Sequence, residues 1–383
     1  MNAHVEQLQI ARPATASPAL PSGPLWQQPV LRDCIDWQLP IVGRLPALDQ
    51  AERWVELSLG GKRHRFVQPI TFTPYASSRP CSARCQFCSE NLRSEYPGPA
   101  AAQLRPADDY FQGLSAALTQ LTQLPMSWSL SGLENTDDLD WLFRLLAVLS
   151  AAESGGVAVE SRVMYSNLAG FGGSRSDDLI AALHSFGLHW IEVSRHHHQA
   201  ERNQRIMRFR DAVPVASNDA FEMALRRIGG VLYFKMVCVV QRGGVDDVAQ
   251  VLAYLDWALS LGAGQVVFRE LARMDGDYRI NRTARYIAEQ RIDVGSLLAA
   301  CLQHPEFRAR WQPRRGTRGY YFSNLVLGDD GGREIVFEAA DYGDMHQRHD
   351  SERVYKLIYF ANGELSADWQ PGRRPLWRFD GYQ

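Results

Sequence analysis

Lysine, cysteine and long apolar runs are all scarce in this sequence of 383 residues, and each scarcity excludes something. Lysine occurs at Lys62, Lys235 and Lys356 alone, so a mechanism that needs a catalytic lysine must use one of these. No apolar run reaches the roughly 18 residues that a membrane-spanning helix needs. Six cysteines are too few for a disulfide scaffold at this length.

Charge and composition narrow the class of protein further. The net charge is −2, so no basic field predicts binding to nucleic acid or to an anionic membrane. Hydrophobic residues make up 45% and charged residues 22%, which is typical of a soluble globular protein. Residues 1–25 lack the basic start and apolar core of a secretory signal, so we expect a cytoplasmic location.

The order of the segments predicts an α/β fold. Residues 1–29 show no periodicity and are predicted to be a disordered tail, and 30–67 an N-terminal β-hairpin extension around Gly60-Gly61. Over 68–272 short apolar runs alternate six times with helical stretches, which predicts parallel strands. Because a complete barrel needs eight strand–helix units and only six are present, we expect a partial (β/α)6 TIM-like barrel with its site at the carboxyl ends of the strands. Residues 273–383 are predicted to be a C-terminal α+β cap over the barrel mouth.

Half of the cysteines lie in one short loop. Cys81, Cys85 and Cys88 have the spacing Cys-x3-Cys-x2-Cys and follow the first predicted barrel strand. Three thiolates at this spacing can hold three irons of a [4Fe-4S] cluster, and the fourth iron then stays open to a small molecule. Phe87 would shield the cluster and lie near a cofactor. A zinc site, which favours four ligands in pairs, and unrelated thiols are the alternatives.

The cysteine loop, the aromatic residue before its last cysteine and the six-unit barrel over about 70–272 together resemble the radical S-adenosylmethionine (radical SAM) superfamily. The resemblance implies that Cys81, Cys85 and Cys88 hold a [4Fe-4S] cluster and that S-adenosyl-L-methionine chelates its open iron. An electron from the cluster would then cleave S-adenosylmethionine to methionine and a 5′-deoxyadenosyl radical, which abstracts hydrogen from the substrate. An external electron donor such as flavodoxin or ferredoxin is implied as a partner.

The segment after the second barrel strand is similar to a cofactor motif of that family. Ser131, Gly132 and Glu134 stand where the family often has Gly-Gly-Glu-Pro, which contacts the methionine ammonium. Leu133 and Asn135 depart from the motif. Glu134 is therefore a candidate cofactor ligand; the alternative is an acidic residue at the start of a helix.

The ends of the third and fourth strands supply further candidates by the same resemblance. Ser166 and Asn167 end the third strand, although an Asn at this point is also typical of an ordinary turn. Ser194 and Arg195 end the fourth, and Arg195 can pair with a carboxylate.

Strand alternation also predicts which side chains face the barrel lumen. A period of two puts Glu192, Ser194 and His196 on one face. Of His196-His197-His198, the first is then an inward histidine and the other two lie in a loop, because consecutive residues cannot all point at one ion.

Two residues are candidates for catalysis itself. Alternation turns Lys235 inward, either as a substrate or acid/base residue or as a partner for Glu192 or Glu270. Cys301 is a candidate hydrogen donor, the role that a cysteine has in some radical epimerases; a buried small hydrophobe is the alternative.

Aromatic and acidic residues of the C-terminal region can face a polar substrate or form an ordinary strand surface; they are Tyr320, Tyr321, Glu338, Asp341, Tyr342, Asp344 and Trp369. The sequence predicts an enzyme acting on a small-molecule substrate such as a sugar, aminoglycoside or nucleoside, by epimerisation, dehydration, dehydrogenation or decarboxylation in specialised biosynthesis. Modification of a peptide or amino acid, and a non-catalytic iron–sulfur or zinc-binding protein, are the alternatives.

Overall fold

The computed structural model describes residues 24–35, 39–43, 51–92, 104–272, 278–349 and 351–381. The predicted tail lies outside these ranges up to residue 23. Beyond that point the prediction of a tail is wrong, because Leu25 and Trp26 form a buried 3-10 helical turn. The backbone N–H of Leu25 donates to the Ser323 hydroxyl at 2.8 Å, which ties this segment to the C-terminal region.

The strands and helices are named in chain order. The strands are β1 (Ile41–Gly43), β2 (Trp54–Leu59), β3 (Lys62–Tyr75), β4 (Met126–Leu130), β5 (Val159–Ser166), β6 (Trp190–Ser194), β7 (Phe234–Val240), β8 (Gln265–Glu270), β9 (Gln312–Arg318), β10 (Phe322–Gly328), β11 (Glu334–Ala340), β12 (Arg353–Phe360), β13 (Glu364–Ser366) and β14 (Pro375–Arg378). The helices are α1 (Tyr110–Gln120), α2 (Leu139–Ser154), α3 (Ser176–Ser185), α4 (Ala200–Met207), α5 (Asn218–Gly229), α6 (Val248–Ser260), α7 (Arg282–Gln290), α8 (Val294–Gln303), α9 (Pro305–Arg310) and α10 (Tyr342–His349).

Six adjacent parallel strands, β3 to β8, form the middle of the sheet in chain order. Helices α1, α2, α3, α5 and α6 lie in the connections between them, as the alternating pattern predicts. In the described ranges the strand order is a linear path whose two ends do not pair, so the barrel is open.

The C-terminal strands extend this sheet at both edges. At one edge β11 joins β8 in parallel, and β10, β9 and β1 follow. At the other edge β12 joins β3 in parallel, and β13 and β14 follow. The region after 272 therefore continues the barrel wall in addition to contributing helices α7 to α10.

The N-terminal hairpin is joined to the barrel in the same way. Strands β2 and β3 pair around Gly60 and Gly61, both at positive φ as a tight turn requires. The predicted second hairpin strand and the predicted first barrel strand are one continuous strand, β3. The expected boundary between 67 and 68 therefore falls inside β3.

Alternation along the strands separates the core from the lumen. On β7, Met236, Cys238 and Val240 are fully buried in the main hydrophobic core. Lys235 and Val237, on the opposite face, line a central cavity. Amphipathic helices cover the outer face, and three of them begin at side-chain caps: Asp138 on α2, Ser217 on α5 and Asp247 on α6.

Aromatic rings connect the strands that flank the barrel on its two sides. Tyr355 of β12 packs edge-on against Trp54 of β2, with ring centroids 5.6 Å apart. The same Tyr355 ring stacks at 5.6 Å on Tyr320, which lies between β9 and β10. The Tyr355–Tyr320 contact thus joins β12, beside β3, to the β9–β10 segment on the other side of the barrel.

None of the helices in the described ranges is both long enough and apolar enough to cross a membrane.

Candidate functional site

The cysteine loop is held against the segment that follows β6. Beyond β3 the chain makes an isolated bridge between Ala83 and Phe209. The backbone N–H of Arg84 donates to the Met207 carbonyl at 3.0 Å, and that of Gln86 to the Ile206 carbonyl at 3.0 Å. The loop is therefore fixed by the end of α4.

All three cysteines of the loop line one cavity with a volume of about 1040 Å³. The Cys81 sulfur accepts hydrogen bonds from the Ala83 N–H at 3.4 Å and the Asn167 side-chain amide at 3.9 Å. Burial raises the pKa of Cys81 to about 12 and that of Cys85 well above its usual range. Both thiols thus hold their protons until a metal displaces them.

The donor set fits an iron–sulfur cluster. In the ranges that the structure describes, no three His, Cys, Asp or Glu side chains come close enough together to hold a single metal ion. Cys81, Cys85 and Cys88 instead line the cavity together, and both Cys81 and Cys88 contribute to raising the pKa of Cys85. Three thiols of this kind can supply three of the cysteine ligands that a [4Fe-4S] cluster takes.

The end of β4 approaches the cavity through its backbone. Ser131, Gly132 and Glu134 all line the cavity. Gly132 has φ of +131°, a conformation that side-chain-bearing residues rarely adopt. Glycine is thus required here for the chain to turn after the strand and bring Glu134 inward.

Glu134 is buried and its carboxylate is held by donors from two strand ends. One oxygen accepts from the Thr136 hydroxyl at 2.6 Å and the Ser166 hydroxyl at 2.8 Å, and the other from the Asn167 N–H at 2.5 Å. Burial raises the pKa of Glu134 to about 7, with Asp137 adding to the effect and these hydrogen bonds opposing it. The carboxylate can receive a cation in a fixed orientation.

Asn167 connects β5 to the cysteine loop. Its side-chain amide donates to the Ser82 hydroxyl at 3.0 Å, and its side-chain oxygen accepts from the Ala169 N–H at 2.9 Å. Both interpretations of the sequence therefore apply to this residue, since it forms a turn and also lines the cavity.

The residues predicted at the end of the fourth barrel strand point in two directions. Glu192, Ser194 and His196 line the cavity, in agreement with strand alternation. Arg195 does not: its side chain is fully buried and donates to the Val215 carbonyl at 2.8 Å and the Asn218 side-chain oxygen at 2.6 Å. The structure therefore corrects the expectation for Arg195, which alternation places on the helix side of β6 and not at a cofactor.

Phe87 and His196 pack against each other in the lining of the cavity. Their rings pack edge to face with centroids 5.0 Å apart. The Val239 N–H donates to Nδ1 of His196 at 3.0 Å, and burial lowers the pKa of this histidine to about 3. His196 is therefore neutral, and the hydrogen bond assigns its proton to Nε2.

The cavity also contains a cluster of one arginine and two carboxylates, which the sequence did not predict as a unit. Arg269 of β8 donates to the Glu192 carboxylate at 3.2 Å and to the Glu338 carboxylate of β11. Glu338 was a candidate as an acidic residue of the C-terminal region, but the parallel pairing of β11 with β8 that brings it to Arg269 has no local signal.

Lys235 lines the cavity, on the face of β7 that alternation predicted. Its ammonium is 4.1 Å from the centroid of the Trp190 ring. Glu192 pairs with Arg269, and Glu270 with Arg291. Lys235 also lowers the pKa of Glu334, on the neighbouring strand β11.

Cys301 is not brought to the site. It is fully buried on α8 within the main hydrophobic core, and it does not line the cavity. Of the C-terminal aromatic and acidic candidates, the structure brings to the cavity Tyr320, Tyr321, Glu338, Tyr342 and Trp369, whereas Asp341 and Asp344 lie outside its lining. Lys356, which the sequence did not single out as a site residue, also lines it.

The fold and the cavity define an α/β protein with an open parallel barrel and a cysteine-lined cavity at the strand ends. It is similar in fold to SuiB of Streptococcus suis bound to S-adenosylmethionine, with a TM-score of 0.49 and 12% identity over 80% of this chain and 62% of that chain. The chain thus spans less than two thirds of the length of SuiB.

Two further solved structures are similar to this chain. Coproporphyrinogen III oxidase (HemN) of Escherichia coli, a radical SAM enzyme, has a TM-score of 0.42 and 9% identity, covering 83% of this chain and 75% of that chain. The protein anSMEcpe with bound AdoMet has a TM-score of 0.40 and 14% identity, covering 52% and 50% respectively. No protein-family model and no curated protein matches the sequence.

Proposed function

We propose that this chain is a radical SAM enzyme that holds one [4Fe-4S] cluster through Cys81, Cys85 and Cys88 and binds S-adenosylmethionine beside it. The observation that carries the proposal is that these thiols and Glu134 line a single cavity at the carboxyl ends of the barrel strands. A cluster held there and reduced by an external donor such as flavodoxin or ferredoxin would supply the electron that cleaves S-adenosylmethionine to methionine and a 5′-deoxyadenosyl radical.

The residues around the cluster site would position the cofactor. The Glu134 carboxylate, oriented by Ser166 and Asn167, is suited to hold the methionine ammonium. The polar end of β6 at Ser194 and the ring of Phe87 line the same cavity. Buried apolar side chains behind these groups exclude water, which strengthens each of the electrostatic contacts.

The lining of the remaining cavity supports a small polar substrate. Arg269 and its two carboxylate partners, Glu192 and Glu338, lie within the cavity, and so do Tyr321 and Tyr342. Hydroxyl, carboxylate and guanidinium groups at fixed positions are the kind of lining that recognises a polyhydroxylated or amino-bearing molecule. We therefore propose a sugar, aminoglycoside or nucleoside as the substrate class.

A peptide or amino-acid substrate is the second candidate, and the edge strand β1 favours it. Ile41 and Val42 are about half exposed there, and Val42 lies at the cavity wall. In the described ranges β1 pairs on one side alone, with β9. An exposed strand edge can add an extended peptide as a further strand.

Anaerobic reconstitution with iron and sulfide tests the proposal. The chain should bind about four irons and, with S-adenosylmethionine and dithionite, should yield 5′-deoxyadenosine. Replacement of Cys81, Cys85 or Cys88 by Ala should abolish both results, whereas Cys34→Ala is the matched control because Cys34 does not line the cavity. The proposal is wrong if a variant with all three cysteines replaced by Ala still yields 5′-deoxyadenosine.

The same assay separates the substrate classes. Sugars, aminoglycosides, nucleosides and short peptides are added singly, and the rate of 5′-deoxyadenosine formation is followed. A class that raises the rate and whose deuterated members transfer deuterium to 5′-deoxyadenosine contains the substrate. Stimulation by peptides alone would replace the first substrate proposal by the second.

A further inference from the structure

Lys356 lies deep in the wall of the cavity, on the strand that pairs with the first barrel strand. It stands on β12 directly opposite Thr71 of β3. Its exposed fraction is 7%, and Lys356, Thr71 and Trp369 all line the cavity. The side chain therefore ends inside the space proposed for the substrate, on a wall formed by the C-terminal region.

The surroundings of this ammonium are aromatic. Its nitrogen is 3.5 Å from the centroid of the Trp369 ring, a close cation–π contact. Trp369 in turn packs edge-on against Tyr75 at 5.5 Å. The preceding residue, Asp368, is fully buried and accepts from the Gln370 N–H at 2.9 Å, which fixes the loop that carries the indole.

Lys356 differs from Arg269 and Arg315, two other cations of the cavity lining, in having no acidic partner in the described ranges. Arg269 is bonded to Glu192 and Glu338. Arg315 is bonded to both oxygens of Glu334. These guanidiniums are already neutralised by the protein, whereas the positive charge of Lys356 is not.

A buried ammonium without a counter-ion is unfavourable, because it has lost the water that solvated it. Burial lowers the pKa of Lys356 to about 7. The aromatic face satisfies one side of the group, and an ammonium has three N–H donors. A ligand that brings a negative charge to the remaining donors would both pair the charge and complete its hydrogen bonds.

We propose that Lys356 and Trp369 form an anion subsite, which binds a carboxylate or phosphate group carried by the substrate. The inference rests on the proposed function in one respect, that the substrate occupies this cavity. It narrows the substrate class to an anionic metabolite, such as a sugar phosphate, a nucleotide or a sugar acid. Lys356 is a specificity-determining residue in this arrangement, and Trp369 orients it.

The scarcity of lysine allows a direct test on the unaltered chain. Protein labelled with ¹³C at the lysine ε-carbon has signals from Lys62, Lys235 and Lys356, which single Lys→Met variants assign. Acetate and inorganic phosphate are added separately as probes, with sodium chloride as the control for ionic strength. The signal of Lys356 should shift and saturate with at least one of these two anions, and its titration midpoint should rise by about one pH unit or more.

The other two lysines are internal controls. Lys62 is exposed on the hairpin and should follow the chloride control. A response of acetate alone identifies a carboxylate subsite, and a response of phosphate alone identifies a phosphate subsite. The inference is overturned if neither anion shifts Lys356 beyond chloride, or if Lys235 responds in its place.

Thermal unfolding provides an independent measurement. An anion that binds the folded chain raises its midpoint, so the anion that responds in the spectra should stabilise the unaltered chain and Lys62→Met more than Lys356→Met. Equal stabilisation of all three chains would contradict the subsite. Iron content and 5′-deoxyadenosine are measured on the unaltered chain. If no 5′-deoxyadenosine forms but the signal of Lys356 shifts with an anion, the proposed function is wrong and the subsite stands. If 5′-deoxyadenosine forms normally but neither anion shifts the signal of Lys356, the subsite is wrong and the proposed function stands.

Discussion

The backbone N–H of Asn167 donates to the Glu134 carboxylate at 2.5 Å, and this bond joins the end of β5 to the end of β4. Through its side-chain amide the same asparagine reaches Ser82 and the Cys81 sulfur in the cysteine loop. Two strand ends and the loop that carries the thiols are therefore one hydrogen-bonded unit. The position of the proposed cluster ligands depends on the register of the barrel strands beside them.

Ser166 tests the strength of this unit. Its buried hydroxyl donates to Glu134 and accepts from the Leu168 N–H at 2.9 Å. Ser166→Ala leaves both partners without that hydrogen bond, so we expect the free energy of unfolding to fall by about 1–3 kcal/mol. Urea unfolding measures it, and Ser161→Ala on the same strand should change it by less than about 0.5 kcal/mol. Equal effects of the two substitutions would show that the bonds at Ser166 contribute nothing specific.

Arg195 is expected to matter for stability. Its guanidinium donates to Val215 and Asn218 and lies 4.4 Å from the Phe221 ring centroid. Arg195→Met removes donors from two acceptors of the helical layer, so the free energy of unfolding should fall by about 1–3 kcal/mol. The control is Arg226→Met, at an exposed arginine of α5.

A different result would restore the role that the sequence predicted for Arg195. If Arg195→Met unfolds like the unaltered chain yet loses affinity for S-adenosylmethionine, its guanidinium acts at the cofactor and not in the helical layer. Equilibrium binding of S-adenosylmethionine to the reconstituted protein makes this measurement.

The barrel was predictable from the sequence because its signals are local. Apolar runs that alternate with amphipathic stretches predicted β3 to β8 and, between them, the helices α1, α2, α3, α5 and α6. Alternation within a strand predicted that Glu192, Ser194 and His196 share a face, and the structure places all three along the cavity. The spacing of the cysteines likewise depends on one short segment.

Pairings between distant segments were not predictable in this way. The contact of Arg269 with Glu338 requires β11 to join the edge of β8, and the position of Lys356 requires β12 to join β3. Nothing within either strand specifies its neighbour. The orientation of Cys301 was not predictable either, because a helix near the barrel has a buried face as well as a face toward the mouth. Cys301 lies on the buried face, which fits the alternative of a small buried hydrophobe.

The buried cysteines of the folded chain should react with alkylating agents more slowly than a partly exposed one. Cys238 and Cys301 are fully buried, and burial raises the pKa of Cys301 to about 12 and that of Cys238 well above its usual range. Because the thiolate is the nucleophile, both should react with iodoacetamide at least about tenfold more slowly than Cys34. Mass spectrometry of peptides after timed alkylation measures the rates, and alkylation in denaturant is the control. Rapid labelling of Cys301 in the folded chain would return it to the candidates for hydrogen donation.

Arg269 should be hard to replace. It bridges Glu192 and Glu338, so Arg269→Met leaves two carboxylates in the cavity without their cation. Removal of one partner from a fully buried ion pair costs about 3–5 kcal/mol; because the Arg269 side chain is 30% exposed, the free energy of unfolding should fall by less than this. A triple variant that also carries Glu192→Gln and Glu338→Gln removes the repulsion and should recover much of the loss. Failure to recover would mean that Arg269 stabilises the fold mainly by packing.

Lys356 should make stability depend on pH. An unfolded lysine has a pKa of about 10.4, whereas burial lowers the pKa of Lys356 to about 7. Between these values the unfolded state holds the proton and the folded state does not, so stability rises with pH. Below about pH 7 the penalty is complete, on the order of 4 kcal/mol, and it vanishes near pH 10.

Lys356→Met has no such charge, so it should be more stable than the unaltered chain at low pH, and the difference should shrink as the pH rises. The loss of the contact with Trp369 reduces the gain by about 1–2 kcal/mol. Urea unfolding at about pH 6 and about pH 9 measures the difference, with Lys62→Met as the control that should show none. A difference that stays constant with pH would mean that Lys356 remains charged in the folded chain, and that an acidic partner already occupies the position proposed for the anion.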